Sequence, residues 1–286
     1  MKKRHIEREK LRRGIYVLPN LFTTLNLFCG FLSVLAAIEG HFEKSAFLII
    51  GGAVFDILDG KTARLTKTTS RFGVEYDSLA DLITFGLAPG ILAYLWVLQP
   101  FGKLGWLVAM IFLACGALRL ARFNTHVDTA DSSVFTGLPI PGAAGMTATT
   151  VLFTMKVTGG QGPGPYVAAL MLAGMFALSF LMVSAVPYTS FKKMPPVLVR
   201  AKHFNMLVIA VLLLVFIVQE PVVALFTLGA LYVSSGPFRS VRRVLSGAHR
   251  HPDEEADELL IEADDELPDE TDIEASDEEE HKPYRI

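Results

Sequence analysis

Apolar runs of about 16 to 23 residues recur from Pro19 to Tyr232, and a helix needs a run of that length to cross the hydrocarbon of a bilayer. A water-soluble core is built from shorter ones. Eight candidate spans follow, at 20–38, 45–60, 74–98, 104–122, 136–155, 166–187, 204–219 and 221–236. The last two are joined by Gln219, Glu220 and Pro221, which predicts a tight helical hairpin. The first thirteen residues are charged and no small-residue cleavage site follows Pro19 to Ala37, so the first span is expected to stay in the chain.

Lys and Arg accumulate on the cytoplasmic side of membrane proteins, and here they segregate by loop. Residues 1–13 carry seven, 61–71 four, 119–135 two, 192–202 four and 239–250 four, whereas the alternate set of loops holds only Lys44, Lys103 and Lys156. An odd number of spans would scramble that division. Both termini and the loops at 61–71, 119–135 and 188–203 are therefore predicted to lie inside. Cys29 and Cys115 sit in apolar spans as small buried hydrophobes and offer no disulfide framework.

The two ends differ in charge. The segment 1–18 mixes seven basic residues with Ile6, Leu11, Ile15 and Tyr16, a pattern suited to a basic amphipathic helix at an anionic surface and equally to a frayed topogenic tail. From Asp253 onward 17 acidic residues face only Lys282 and Arg285, which reads as a disordered acidic tail. The domain plan is thus a basic segment at 1–18, a membrane domain at 19–187, a basic loop at 188–203, an additional hairpin at 204–236 and a tail at 237–286, acidic and disordered from about 253. Without the tail the body carries a clear positive excess, which suits phosphate-bearing lipid and nucleotide; nothing calls for nucleic acid.

Against this apolar background, Asp56, Asp59, Asp77 and Asp81 stand out, because an ionisable group at membrane depth is costly unless it serves a function. Asp56, Asp59, Gly60 and Ala63 share one arc of a helix, and Gly73, Asp77 and Asp81 share a face at i, i+4, i+8. Four carboxylates brought together repel unless protonated, paired or neutralised. With no His or Cys beside them, the natural neutraliser is a hard divalent ion, Mg²⁺ or Mn²⁺, and two such ions can bridge a diphosphate. Gly60, Ala63 and Gly73 leave room for a nucleotide, or for close helix packing. A secondary transporter also uses membrane aspartates, but it does not explain Gly60, Ala63, Arg64 and Gly73 at these spacings, nor four acids in one hairpin.

The run Asp56, Asp59-Gly60, Ala63-Arg64, Gly73, Asp77, Asp81 resembles without departure the signature of the CDP-alcohol phosphotransferase family. That resemblance implies an all-α polytopic membrane protein with a six-helix core over roughly 20–187, beyond which the last two apolar spans add two extra C-terminal transmembrane helices. It further implies that Asp56, Asp59 and Asp77 bind the metals and that Asp81 takes a proton from the acceptor hydroxyl and also touches metal. Gly60, Lys61, Ala63, Arg64 and Gly73 would then line the CDP-lipid site, with Lys61 read equally as a topological anchor. Dimerisation is an expectation of the resemblance alone.

Two further stretches, Pro19-Asn20-Leu21-Phe22-Thr23-Thr24-Leu25-Asn26 and Leu118 to Asn124 followed by Phe135 to Pro141, are similar to the serine-using branch of that family. The similarity implies transfer of the phosphatidyl group of CDP-diacylglycerol to L-serine at the inner membrane of a bacterial cell, with an active site open to the cytoplasm. Serine brings a carboxylate, which a guanidinium grips through two parallel hydrogen bonds, so Arg119, Arg122 and Asn124 are the expected acceptor contacts. Lipid phosphate binding and helix anchoring are the alternatives for the two arginines. Glycerol 3-phosphate, inositol phosphate and choline are the competing acceptors.

Overall fold

The computed structural model describes residues 2–66, 70–126, 135–160, 163–188, 211 and 216–245. The chain divides into two compact units, Met1–Ser240 and Val241–Ile286, and of the second only residues 241–245 are described.

Helix α1 runs from Lys2 to Ile38, so the basic segment and the first apolar span form one continuous helix. It ends in a reversal at Gly40, whose φ of 79° favours glycine, with the amides of Gly40 and His41 returning to the carbonyls of Ala37 and Ala36. Helix α2, Phe42–Thr66, therefore folds straight back on α1. Ser33, Ala36, Ala37, Ser45, Ala46 and Gly52 are buried between them, small residues that let two backbones approach without a wide apolar seam. Ser33 Oγ donates to the Ser45 carbonyl at 2.9 Å and meets its hydroxyl at 2.8 Å.

Helix α3 spans Arg71–Phe101 and starts at Ser70, whose hydroxyl accepts from the Gly73 amide. The chain is α-helical from Arg71 to Asp81 and widens to π-helix over Leu82–Leu87 and again over Tyr94–Leu98. Pro89 gives part of the reason: it lacks an N–H and so breaks the ordinary i to i−4 ladder, while the amide of Ala88 reaches Ile83 instead. Helix α4, Lys103–His126, returns antiparallel through a turn at Gly102 and lies close enough that a Cβ on Gly90 would stand 3.3 Å from the Ala109 carbonyl.

Between α4 and helix α5, Ile140–Val157, the sequence reading placed the start of the fifth span at 136. The structure starts that helix at Ile140, because Phe135–Thr136 forms strand β1 and pairs antiparallel with strand β2, Pro187–Tyr188. Gly137, at φ 85°, turns the chain off this ribbon, and its amide donates to the Val186 carbonyl. A Cβ there would lie 2.6 Å from the Met182 carbonyl, so glycine is required on both counts. Helix α6, Pro165–Val183, ends before the ribbon, four residues short of the expected boundary at 187. Helix α7, Pro221–Leu245, extends beyond the predicted end at 236 and carries Pro237 within it. Of the predicted span 204–219, only 211 and 216–219 are described, and they are helical. The basic loop at 188–203 and the acidic tail lie outside the described residues, Tyr188 excepted.

Phe85, Ala88, Leu92, Phe112, Ile140 and Met175 lie in one buried cluster at the centre of the helices. Facing outward are Phe28, Phe31, Trp106, Leu170, Phe180 and Leu231, all exposed. An outer face of that composition needs lipid rather than water against it. Five helices among the described residues are long and apolar enough to cross a membrane, namely Pro19–Ile38 of α1, α3, Lys103–Thr125 of α4, α6 and Pro221–Val241 of α7. The protein is an integral membrane protein of the all-α class. Helices α2 and α5 fill two further predicted spans, and α2 carries Asp56 and Asp59 in its second half.

Candidate metal centre

The carboxylates come from two helices that meet over α1. Asp56 and Asp59 stand one turn apart near the end of α2, and Asp77 and Asp81 one turn apart on α3 before its first π segment. One oxygen from each of Asp56, Asp59 and Asp77 lies within 4.8 Å of the others. Asp81 stands outside this group of three and is 8% exposed, while Asp59 is 4% exposed. The expected convergence of four carboxylates resolves into a cluster of three with a fourth beside it.

Helix α1 supplies what holds them. Thr23 Oγ1 donates to Asp59 Oδ2 at 3.0 Å, and Asn26 Nδ2 donates to Asp81 Oδ1 at 2.9 Å. Asp77 Oδ1 is buried without a hydrogen-bond partner. Among the described residues the ion pairs are His41 with Glu39 and Lys156 with Glu220, and neither includes a carboxylate of this cluster. Three converging acids, an orphaned oxygen and no ion pair to them among the described residues fit the oxygen donor set of a hard divalent ion. The residues present therefore suit a metal.

Around the cluster, Arg64 donates from Nε to the Gly60 carbonyl at 2.9 Å and lies exposed along the end of α2. Among the described residues, only the Arg64 guanidinium, at 3.9 Å, stands within 4 Å of where a Cβ of Gly60 would project, so they leave the space over Gly60 open. Gly73 differs, because a Cβ there would stand 3.1 Å from the Ser70 Oγ that caps its own helix, while Asn20 Oδ1 at 3.6 Å is in ordinary contact. Lys61 is exposed and Ala63 half-buried on the same end of α2. Thr24 Oγ1 lies 3.0 Å from Tyr76 Oη and ties α1 to α3 a second time.

Helix α4 brings the expected acceptor residues. Arg119 is half-buried, its Nε has no hydrogen-bond partner, and its charge lies within coulombic range of Asp81 and Tyr232. Arg122, nearly one turn on, is exposed. Asn124 Nδ2 donates to Ser78 Oγ at 3.0 Å, so this side chain fastens α4 to α3 next to Asp77. The structure thus separates three residues the sequence grouped.

The sequence offers Asn20, Asn26 and Asn124 as neutral hydrogen-bonding or interhelical residues without their partners, and it gives no role to Thr23 or to the α7 contacts. Asn20, Thr23, Asn26 and Gly30 fall on one side of α1 amid apolar residues, and that polar stripe was the available signal. For α7 no such signal existed. Tyr232 stacks at a tilt on Tyr188 with ring centroids 5.6 Å apart, and a Cβ on Gly142 would lie 3.2 Å from the Tyr232 ring. Tyr188 donates from its hydroxyl to the Val233 carbonyl at 3.0 Å. Burial, and Tyr232 beside it, push the Tyr188 phenol up to about 12, so it remains a donor.

The profile of the CDP-alcohol phosphatidyltransferases matches residues 16–180. Over 225 residues the chain is 41% identical to a CDP-diacylglycerol–serine O-phosphatidyltransferase of Helicobacter pylori, covering 79% of this chain and 91% of that one. A protein of the same name from Bacillus subtilis is 35% identical over 176 residues, 62% of this chain and 92% of that one. An archaetidylserine synthase of Methanothermobacter thermautotrophicus is 37% identical over 183 residues, 63% of this chain and 72% of that one.

Proposed function

The chain belongs to the CDP-alcohol phosphatidyltransferase family, and from that premise we propose that it transfers the phosphatidyl group of CDP-diacylglycerol to the hydroxyl of L-serine, giving phosphatidylserine and CMP. The observation that carries this reading is the cluster of Asp56, Asp59 and Asp77, within 4.8 Å of one another and unpaired by any protein cation among the described residues. Serine as acceptor is supported by the names of three relatives, each of which contains serine.

Asp56, Asp59 and Asp77 hold divalent metal, Mg²⁺ or Mn²⁺, two ions to the site. When bound, the metal supplies positive charge to the diphosphate and to the phosphate that departs. Thr23 fixes the oxygen of Asp59 that it donates to, which keeps that carboxylate turned toward the cluster. The open space over Gly60, with Ala63 one turn on, receives the cytidine nucleotide, and Arg64 and Lys61 lie at its phosphate edge. Gly73 leaves room for the Ser70 cap of α3.

Asp81 takes the proton from the serine hydroxyl. The serine oxygen then forms its bond to the lipid-side phosphorus, the bond from that phosphorus to the CMP phosphate oxygen breaks, and CMP leaves with the electron pair. A base is most useful when it is not itself neutralised, and Asp81 stands outside the cluster of three. Arg119 faces this side with its Nε unsatisfied and grips the serine carboxylate; Arg122 serves phosphate at the exposed end of α4, and Asn124 holds α4 in register through Ser78.

The acyl chains stay in lipid while serine and CMP exchange with water, so the site opens on the basic side of the membrane. Both termini are cytoplasmic, the membrane is a bacterial inner membrane, and two copies form a homodimer. Within the plan set out from the sequence, residues 19–187 carry the chemistry and 204–236 add a hairpin to it.

Washed membranes given CDP-diacylglycerol, serine and Mg²⁺ or Mn²⁺ test the reaction: serine-dependent CMP release is expected, and its absence with every metal tried sinks the reading. Competition among serine, glycerol 3-phosphate, inositol phosphate and choline then tests the acceptor. A win by another alcohol would leave the metal centre standing and remove serine.

A further inference from the structure

Asn26 is fully buried, yet its Oδ1 has no hydrogen-bond partner. A purely packing role does not require this, because a leucine of similar volume fills the same space without an unsatisfied carbonyl. What the amide does is donate from Nδ2 to Asp81 Oδ1 at 2.9 Å. Only a side chain with a hydrogen-bond donor at that reach can do so.

The neighbours of Asn26 are arranged to keep it there. Its backbone carbonyl accepts from Thr84 Oγ1 at 2.9 Å, and Thr84 sits in the π-helical turn that begins directly after Asp81. That hydrogen bond ties the stretch of α3 carrying Asp81 to the stretch of α1 carrying Asn26. Two glycines make room for it: a Cβ on Gly30 would stand 2.4 Å from Thr84 Oγ1, and one on Gly52 would stand 2.5 Å from Thr84 Cγ2 and 3.0 Å from Asn26 Oδ1. Gly52, on α2, therefore closes the third side of the amide. Residues of three helices converge on one orientation of one side chain.

We infer that Asn26 is the positioning residue of Asp81: its amide occupies Oδ1, leaves Oδ2 as the oxygen that meets the acceptor hydroxyl, and keeps this carboxylate apart from the cluster of Asp56, Asp59 and Asp77. The inference rests on the role given to Asp81 above. It assigns to α1 a part in the chemical step that is separate from metal binding, with Thr84, Gly30 and Gly52 as the frame that holds it.

The test uses the full-length protein purified in detergent, with kcat, the KM of each substrate, and Mn²⁺ binding followed by electron paramagnetic resonance without substrate. Asn26→Leu is expected to lower kcat about 100-fold, the scale of a misplaced reacting group, with Mn²⁺ affinity and the KM of CDP-diacylglycerol within about threefold of the wild type. An unchanged kcat overturns the inference, and so does a loss of Mn²⁺ affinity in step with kcat. Thr84→Val removes only the frame's hydroxyl at nearly constant shape and decides the matter alone if Asn26→Leu fails to fold. A kcat lowered about threefold or more at unchanged Mn²⁺ affinity supports the frame, and an unchanged kcat overturns it. A wild-type protein without serine-dependent CMP release would instead remove the reaction itself.

Discussion

The two sides of the carboxylate site are built differently. On the side of α1, α2 and the first turns of α3, the polar groups are held by short-range partners: Thr23 on Asp59, Asn26 on Asp81, Ser70 on Gly73, Thr24 on Tyr76. On the side of α4, α7 and the small β-ribbon, Arg119 has an unsatisfied Nε, and Tyr188 and Tyr232 meet as a tilted aromatic pair. A site that must bind metal and diphosphate every cycle gains from fixed carboxylates, whereas a guanidinium that is to receive a small acceptor needs an open valence. The first side fixes its acids and leaves two buried acceptor oxygens open, Asp77 Oδ1 and Asn26 Oδ1, whereas the second leaves a donor open.

The sharpest way to break this comparison is to remove charge from the fixed side. Asp56→Asn or Asp77→Asn takes one donor from the cluster of three, and turnover is expected to fall by about a thousandfold or more, since loss of a metal ligand removes the largest electrostatic contribution. Mn²⁺ affinity should fall with it. Asp81→Asn should cost a comparable factor in kcat but spare most of the nucleotide affinity, measured as CDP-diacylglycerol binding. Equal loss of binding in all three variants would erase the distinction between the cluster and its neighbour.

How legible each side was in the sequence follows from the same contrast. Asp56, Asp59, Gly60, Ala63, Arg64, Gly73, Asp77 and Asp81 fall within 26 residues, so helical periodicity alone places them on facing turns. The division into Asp56, Asp59 and Asp77 with Asp81 apart came from the family resemblance; the distances that realise it were not legible, because they depend on how α1, α2 and α3 pack at Ser33, Gly52 and Thr84. Arg119 and Arg122 looked equivalent by spacing; only the packing of α4 buries one and exposes the other. The β-ribbon was hidden because two residues per strand leave no alternation to read, and Phe135 to Pro139 sit against an apolar run that looks helical. The π segments of α3 were equally hidden, although Pro89 was visible as a break in the ladder.

On the open side the effects should be smaller and confined to one substrate. Arg119→Lys keeps the charge and loses the planar fork, so the KM for serine is expected to rise about tenfold, the equivalent of one charge-assisted hydrogen bond, with the KM for CDP-diacylglycerol unchanged. A parallel rise in both constants would move Arg119 to the phosphate and leave serine without a cation. Arg122→Lys, on the exposed end of α4, should change the serine constant by less than about twofold, because a surface charge is well screened.

The smallest expected effect tests whether α7 belongs to the open side at all. Tyr188→Phe removes one hydroxyl that donates to the Val233 carbonyl and leaves both rings in place, so the ring contact with Tyr232 survives while the link from ribbon to helix is lost. One buried hydrogen bond contributes about 1 kcal/mol, which should appear as a fall of a few degrees in the unfolding midpoint in detergent, with kcat unchanged. If the serine KM also rises, the docking of α7 shapes the acceptor pocket, because Tyr232 is the residue of this helix within coulombic range of Arg119. If neither the midpoint nor the KM moves, α7 is held by its packing alone, through the stacked rings of Phe153 and Phe226 and the Lys156 to Glu220 pair at its other end. The open side would then reduce to α4 by itself.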